Sequence, residues 1–204
     1  KERAETGRIY IMNLDHCNSH SSFKDKVSMS NLCQEITLPT TPIQDIHDEQ
    51  GEIALCILSA VNVGGLNDLS ELENICDLSV RALEQIIDYQ DYPVKAAEVS
   101  TKKRRSLGVG YIGLAHYLAK NGVKYSDPKA WELVDRLSEA FQYQLLRASC
   151  NIAMEKGKCE GFERTKYADG LLPIDHYKKE VDEIVPHKQR MAWESLRKDI
   201  AKYG

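Results

Sequence analysis

The sequence lacks the features that would point to a membrane or to a nucleic acid. It has no apolar run as long as the roughly 18 residues that a membrane-spanning helix needs. It has no excess of positive charge either, because 27 lysines and arginines stand against 31 aspartates and glutamates, leaving a net charge of -4. Neither a membrane nor a nucleic acid is therefore an expected partner.

The marks of a secreted protein are missing too. The opening residues, KERAETGRIY, contain no initiator methionine and no charged-then-apolar signal region. The six cysteines therefore favour reduced thiols in a cytoplasmic protein over a disulfide framework. With 42% hydrophobic and 28% charged residues, the 204-residue chain has the composition of a globular domain. Both ends look like cuts, so we expect a central fragment of a larger protein.

Hydrophobic periodicity predicts a helix-rich chain with few strands. Extended segments are expected at residues 8–13 and 32–38, and the apolar run at residues 53–58 predicts a buried strand. Helices are predicted from residue 68 onward and at residues 110–120, 126–155, 175–184 and 189–203, with a basic loop at residues 102–105. The buried face of the longest helix is expected to comprise Trp131, Val134, Leu137, Phe141, Leu145 and Ile152.

One short block carries a candidate for chemistry. If residues 31–35 are extended, Asn31, Cys33 and Glu35 project to one side, about 6–7 Å apart. That spacing is close to the width of a small sugar ring, and the face would offer an amide, a thiol and a carboxylate. Taken alone, the block is a weak signal and favours a strand with a buried cysteine.

Several blocks in one order carry a family resemblance. The stretches ERAETGRIYIMNLDHCNSH, SNLCQE, GEIALCILSAVN, DYQDYP, TKYADGLLPIDHYKK and WESLRKDI resemble the large, catalytic subunit of class I ribonucleotide reductases, phage and enterobacterial branch. The N-x-C-x-E block is shared with the cobalamin-dependent class, so class I rests on the flanking blocks.

The resemblance implies an α/β fold, a ten-stranded barrel made of two five-stranded halves with a radical cysteine on a central loop. Residues 1–204 would be a fragment of this catalytic barrel domain, supplying the loop, strands of the second half and the outer helices. The N-terminal allosteric domain and the C-terminal part would lie outside it.

The resemblance also implies roles for individual residues. Cys33 would become the thiyl radical that removes the 3′ hydrogen of the ribose, and Glu35 would be the general base on the 3′ hydroxyl. Asn31 would position the hydroxyls by hydrogen bonds. Cys56 would be one of two cysteines that reduce the substrate and form a disulfide, its partner lying upstream of Lys1. A small core residue is the alternative interpretation of Cys56.

Other matches imply supporting or structural roles. Arg8 and Tyr10 fit a G-R-x-Y motif near the route by which the radical enters. The remaining cysteines are interpreted as structural or incidental: Cys17, Cys76, Cys150 and Cys159.

The implied partners lie outside this chain. They are the rest of the large subunit, a small subunit with a diferric-tyrosyl type of radical cofactor, a ribonucleotide substrate, and thioredoxin or glutaredoxin as reductant. We expect no cofactor on this chain and no turnover by this chain alone. The alternative is a catalytically silent assembly module, but a silent module would have no use for an intact Asn31, Cys33, Glu35 and Cys56.

Three further patterns are rejected as sites. Residues 108–113 fit G-x-G-x-x-G, but the basic stretch before them is no buried strand, so glycines that permit close helix packing are the better interpretation. His16, Cys17 and His20 have poor geometry for a metal, and no metal site is expected. The basic run at residues 102–105 is interpreted as a solvated loop.

Overall fold

A computed structural model of the chain describes residues 1–184 and 188–204. The α-helices are α1 (Glu2–Thr6), α2 (Leu14–His20), α3 (Leu72–Tyr89), α4 (Lys95–Arg104), α5 (Leu114–Lys120), α6 (Pro128–Lys156) and α7 (Trp193–Tyr203). The strands are β1 (Ile57–Asn62) and β2 (Leu107–Ile112). Short 3-10 turns lie at Val63–Gly65, Leu69–Glu71, Phe162–Arg164, Lys166–Asp169, Pro173–Asp175 and Lys179–Glu183. No helix in the described part of the chain is long and apolar enough to cross a membrane.

The two strands form a parallel pair covered on one face. Ile57 pairs with Leu107 and Asn62 with Ile112, so the register holds along the full strands. Helices α3 and α4 make the crossover between them, as a parallel connection requires. Val61 is buried beneath the helices, whereas Leu58 and Ile112 are each 58% exposed on the other face. One face of the sheet is therefore covered by helices, and the other face is exposed.

The main core lies where β1, α3 and α6 meet. Leu72 and Cys76 of α3 and Leu137 of α6 are fully buried there, and Phe141 stacks edge-on against Tyr111 of β2. Full burial of a leucine stabilises a fold by about 1.5–3 kcal/mol, so this contact fixes α3 and α6 on the sheet. Asp68 caps the 3-10 turn before α3 by accepting a hydrogen bond from the Ser70 amide.

A second core joins α7 to the middle of α6. Trp193, Leu196 and Ile200 of α7 are buried with Cys150 of α6. Trp193 also donates from Nε1 to the Glu139 carboxylate at 3.0 Å. The C-terminal helix is therefore held by apolar contact and by one buried carboxylate.

The strand predictions were only partly correct. Residues 8–13 and 32–38 form no strand, and the run at residues 53–58 enters the sheet only from Ile57. Residues 110–112 are strand, so the helix predicted from residue 110 begins at Leu114. The glycines of the G-x-G-x-x-G pattern lie on β2 and in the turn into α5, which corrects the helix-packing interpretation. Gly113 has a φ of 81°, which favours glycine at that turn.

Helices were predicted more accurately than strands. The long helix and the C-terminal helix are confirmed with shifted starts, at Pro128 and Trp193. The segment near residues 175–184 forms 3-10 turns instead of an α-helix. Trp131, predicted on the buried face of the long helix, is 55% exposed, whereas the neighbouring Ala130 is buried in a cluster with Leu118 of α5.

Candidate functional site

The N-x-C-x-E block forms a turn, which corrects the extended segment predicted there. The Gln34 amide donates to the Asn31 carbonyl at 3.1 Å, and Gln34 has a φ of 63°. A left-handed residue breaks the alternation of an extended chain, so the three side chains do not project in one row. Cys33 is exposed on this turn, between Asn31 and Glu35, and is not a buried strand cysteine.

Asn31 holds the turn together through its side chain. Its Nδ2 donates to Glu35 Oε1 at 2.6 Å, and its Oδ1 accepts from the Ile36 amide at 3.1 Å and from Ser30 Oγ at 3.2 Å. Ser30 Oγ is also placed to donate to the Ile36 carbonyl at 2.7 Å. The turn therefore brings two of the three predicted side chains into direct contact, with Glu35 oriented by Asn31.

Glu35 and Cys56 line one cavity of about 820 Å³. Its walls come from the end of α2 (His20), from the segment after the turn (Ile36 to Leu38) and from both strands near Leu58 and Gly108. The backbone of Gly108 lies against Cys56, because an added Cβ there would stand 3.0 Å from Cys56 Sγ. Glycine on β2 thus makes the room that the Cys56 side chain occupies.

Burial, and then the nearby charge of Glu35, raise the pKa of the Cys56 thiol above its usual value. Cys56 is consequently a protonated thiol at neutral pH, able to give up a hydrogen atom or a proton. Burial also raises the pKa of Cys76, to about 11. Cys76 and Cys150 are buried on helices, and Cys17 lies on α2.

The remaining candidates, Arg8 and Tyr10, are not part of the turn. Arg8 and Tyr10 are on the exposed stretch between α1 and α2, and Tyr10 is 61% exposed. Within residues 1–184 and 188–204, no hydrogen bond joins their side chains to Asn31, Cys33 or Glu35. The same residues contain no group of three or more histidine, cysteine or acidic side chains placed to hold a metal.

The sequence did not predict a buried cluster of charged side chains. Arg104, interpreted as part of a solvated loop, ends α4 and is buried with Glu52, which accepts from its Nη2 at 2.7 Å. The neighbouring Arg105 pairs with Glu84 and Asp88 of α3. The two halves of the Glu52–Arg104 pair lie 52 residues apart, and a single sequence contains no signal that would match them.

The chain is similar in sequence to known proteins of one kind. The family model described as ribonucleotide reductase, barrel domain, matches residues 1–204. The alpha subunit of ribonucleoside-diphosphate reductase from Haemophilus influenzae is 58% identical over 207 residues, covering 100% of this chain and 27% of that protein. The corresponding subunits of Escherichia coli and Enterobacteria phage T4 are 52% and 40% identical, with the same two coverages. The chain thus spans 27% of the length of these relatives.

Proposed function

The chain belongs to the family of the ribonucleotide reductase barrel domain, and from that membership we propose that it supplies the radical-cysteine turn of a catalytic subunit. The resemblance drawn from the sequence blocks is confirmed, and β1 and β2 with their helices are part of an α/β barrel that these residues do not close. The proposed reaction is the reduction of a ribonucleotide, as a diphosphate, to a deoxyribonucleotide.

The observation that carries the proposal is the shared placement of Asn31, Cys33, Glu35 and Cys56. One turn holds Asn31 against Glu35 with Cys33 exposed between them, and Glu35 lines a cavity together with Cys56. A carboxylate oriented by an amide suits proton transfer from a hydroxyl, and two separate thiols suit hydrogen-atom transfer and two-electron reduction. A cysteine of purely structural use would not require an oriented carboxylate and a second thiol nearby.

The proposed steps balance as follows. The Cys33 thiyl takes the 3′ hydrogen of the ribose and becomes a thiol, while Glu35 accepts the proton of the 3′ hydroxyl. The 2′ hydroxyl takes a proton from one of the two reducing thiols and leaves as water. Cys56 and a second cysteine outside this chain supply two electrons and the new C2′ hydrogen and become a disulfide. Glu35 returns its proton to the 3′ oxygen, and Cys33 returns its hydrogen to C3′ and is a thiyl again. The sum is one ribonucleotide and two thiols converted to one deoxyribonucleotide, one water and one disulfide.

The proposal implies partners beyond these residues. A small subunit with a diferric-tyrosyl type of cofactor would generate the radical, with Arg8 and Tyr10 supporting its entry. Thioredoxin or glutaredoxin would reduce the disulfide, and the remaining parts of the large subunit would complete the barrel and regulate it. The setting of such an enzyme is the cytoplasm.

A reconstitution assay tests the proposal. The chain is mixed with the complementary parts of the large subunit, the small subunit, a dithiol reductant and labelled cytidine diphosphate. We expect labelled deoxynucleotide only when this chain is present. A demonstrated complex with an active small subunit but no product would instead favour a silent assembly module.

A further inference from the structure

Glu52 is a buried carboxylate that hydrogen-bonds to two separate parts of the chain, the end of α4 and Thr41. It accepts hydrogen bonds from Lys103 Nζ at 2.7 Å and from Arg104 Nη2 at 2.7 Å, both at the end of α4. Thr41 donates from Oγ1 to the same carboxylate at 3.3 Å, and the backbones of Thr41 and Glu52 pair in both directions. Burial opposes the charge of Glu52, but the bonds from Lys103 and Arg104 outweigh it and lower its pKa.

These hydrogen bonds join the two chain segments that carry the residues of the proposed site. Thr41 ends the segment that begins at the Cys33 turn and passes through Glu35 and the buried Pro39. Cys56 follows Glu52 by four residues, and that short stretch is fastened by the Ile53 amide to α4 and by the Ile57 amide to the residue before β2. Glu52 is therefore the point at which the segment carrying Glu35 meets the segment carrying Cys56.

Arg104, a cationic partner of Glu52, is itself held in place by other side chains. Arg104 Nη1 donates to Asp25 at 2.9 Å, and Asp25 also pairs with Arg164. The Arg104 guanidinium lies 5.7 Å from the centre of the Phe23 ring, and Phe23 lines the cavity of Glu35 and Cys56. Removing one partner of a buried ion pair leaves an uncompensated buried charge, so this cluster has one favoured arrangement.

We propose that Glu52 is a positioning residue, which sets the placement of the Glu35 carboxylate relative to the Cys56 thiol. This inference rests on the proposed function, because it gives Glu52 a part in bringing the proton acceptor and the reducing thiol to one substrate. Glu52 acts through its neighbours and touches no substrate.

A double-mutant cycle on the full-length protein tests the placement directly. The pH dependence of Cys56 alkylation by iodoacetamide is followed by mass spectrometry of its peptide, which separates Cys56 from the other cysteines. The titration is run for the unaltered protein, Glu35→Gln, Glu52→Gln and the double variant. His20 lines the same cavity and is left unchanged throughout, so that its contribution cancels in the cycle.

The proposal predicts that Glu35→Gln lowers the midpoint of the Cys56 titration, and that Glu52→Gln removes more than half of that shift. Glu139→Gln is the matched control, since it alters an equally buried carboxylate on α6 and should leave the shift intact. A shift that is the same with and without Glu52 would overturn the proposal. Should Glu52→Gln fail to fold, Thr41→Val, which removes only the hydroxyl contact, must diminish the shift or the proposal is equally overturned.

Turnover separates this inference from the proposed function. Measured with the small subunit and a labelled ribonucleoside diphosphate, Glu52→Gln should lower kcat by more than tenfold with KM changed less than threefold. Unchanged kcat would contradict the positioning role even where Cys33→Ser abolishes activity. Activity that survives Cys33→Ser would instead contradict the proposed function, while the alkylation cycle would still decide the placement.

Discussion

Replacing Glu139 by glutamine should destabilise the fold by about 2 kcal/mol. Oε1 of Glu139 accepts from the Arg190 amide at 2.7 Å, the Met191 amide at 3.1 Å and Trp193 Nε1 at 3.0 Å. Oε2 lies 3.2 Å from the Arg190 guanidinium, which also pairs with Asp135. A glutamine oxygen can keep the first three bonds, but its NH₂ group would face the guanidinium.

The magnitude follows from the kind of bond lost. Hydrogen bonds to a charged group contribute about 1.5–3 kcal/mol, and neutral ones about 0.5–1.5 kcal/mol, so Glu139→Gln weakens three bonds and loses a fourth. Because the losses are not additive, we expect about 2 kcal/mol in total. Glu139→Ala leaves the buried indole NH without a partner as well, and should cost about 4 kcal/mol.

Urea unfolding followed by Trp193 fluorescence measures both variants. A Trp131→Phe background removes the exposed second tryptophan from the signal. Glu132→Gln, at an exposed position on the same helix, is the control and should change the free energy of unfolding by less than about 0.5 kcal/mol. An effect of Glu139→Gln as small as that of the control would refute the account of how α7 is held.

Three other outcomes follow from contacts of Glu139, Gly108 and Leu137. Burial opposes the charge of Glu139, but its hydrogen bonds outweigh this and lower its pKa. The stabilisation by Glu139 is therefore complete above the unfolded-state pKa of about 4.3 and is lost as pH falls through the folded-state pKa. Urea unfolding at pH 7 and pH 3 should show the cost of Glu139→Gln shrinking in acid, and a constant cost would contradict this. Gly108→Ala should cost about 1–3 kcal/mol and change the alkylation rate of Cys56, because the new Cβ would meet Leu58 and Cys56; an unchanged rate would refute the close approach. Leu137→Ala in the main core should cost about 2–5 kcal/mol by thermal or urea unfolding, whereas Trp131→Ala should cost under about 0.5 kcal/mol, and a reversal of that order would contradict the burial of α6.

The helices could be predicted from the sequence because their signals are local. Asp68 marks the chain before α3 by accepting a hydrogen bond from the Ser70 amide, and Pro128 marks the start of α6 because its fixed φ suits the first turn of a helix. The strands could not be placed as well, since β2 is rich in glycine and takes its conformation from pairing with β1, 50 residues away in register. Propensity is a weak guide where pairing with a distant segment decides.

The candidate site, too, could be predicted from the sequence only in part. The residues of the N-x-C-x-E block could be named from their sequence, but an extended segment was the wrong geometry for them. The turn depends on a left-handed Gln34 and on the Asn31–Glu35 hydrogen bond, neither of which alternation of residue types reveals. Glu52 and Arg104 were missed because their charges suggested solvent, and only their burial together shows a structural use.

The most direct test of the central claim replaces Cys33 by serine in the full-length subunit and measures deoxynucleotide formation with the small subunit and a dithiol. Cys17→Ser, at the cysteine on α2, is the matched control. The account predicts that Cys33→Ser abolishes turnover while binding of the small subunit persists, and that Cys17→Ser retains activity. Deoxynucleotide formation at an unchanged rate by Cys33→Ser would contradict the assignment of the radical to this turn.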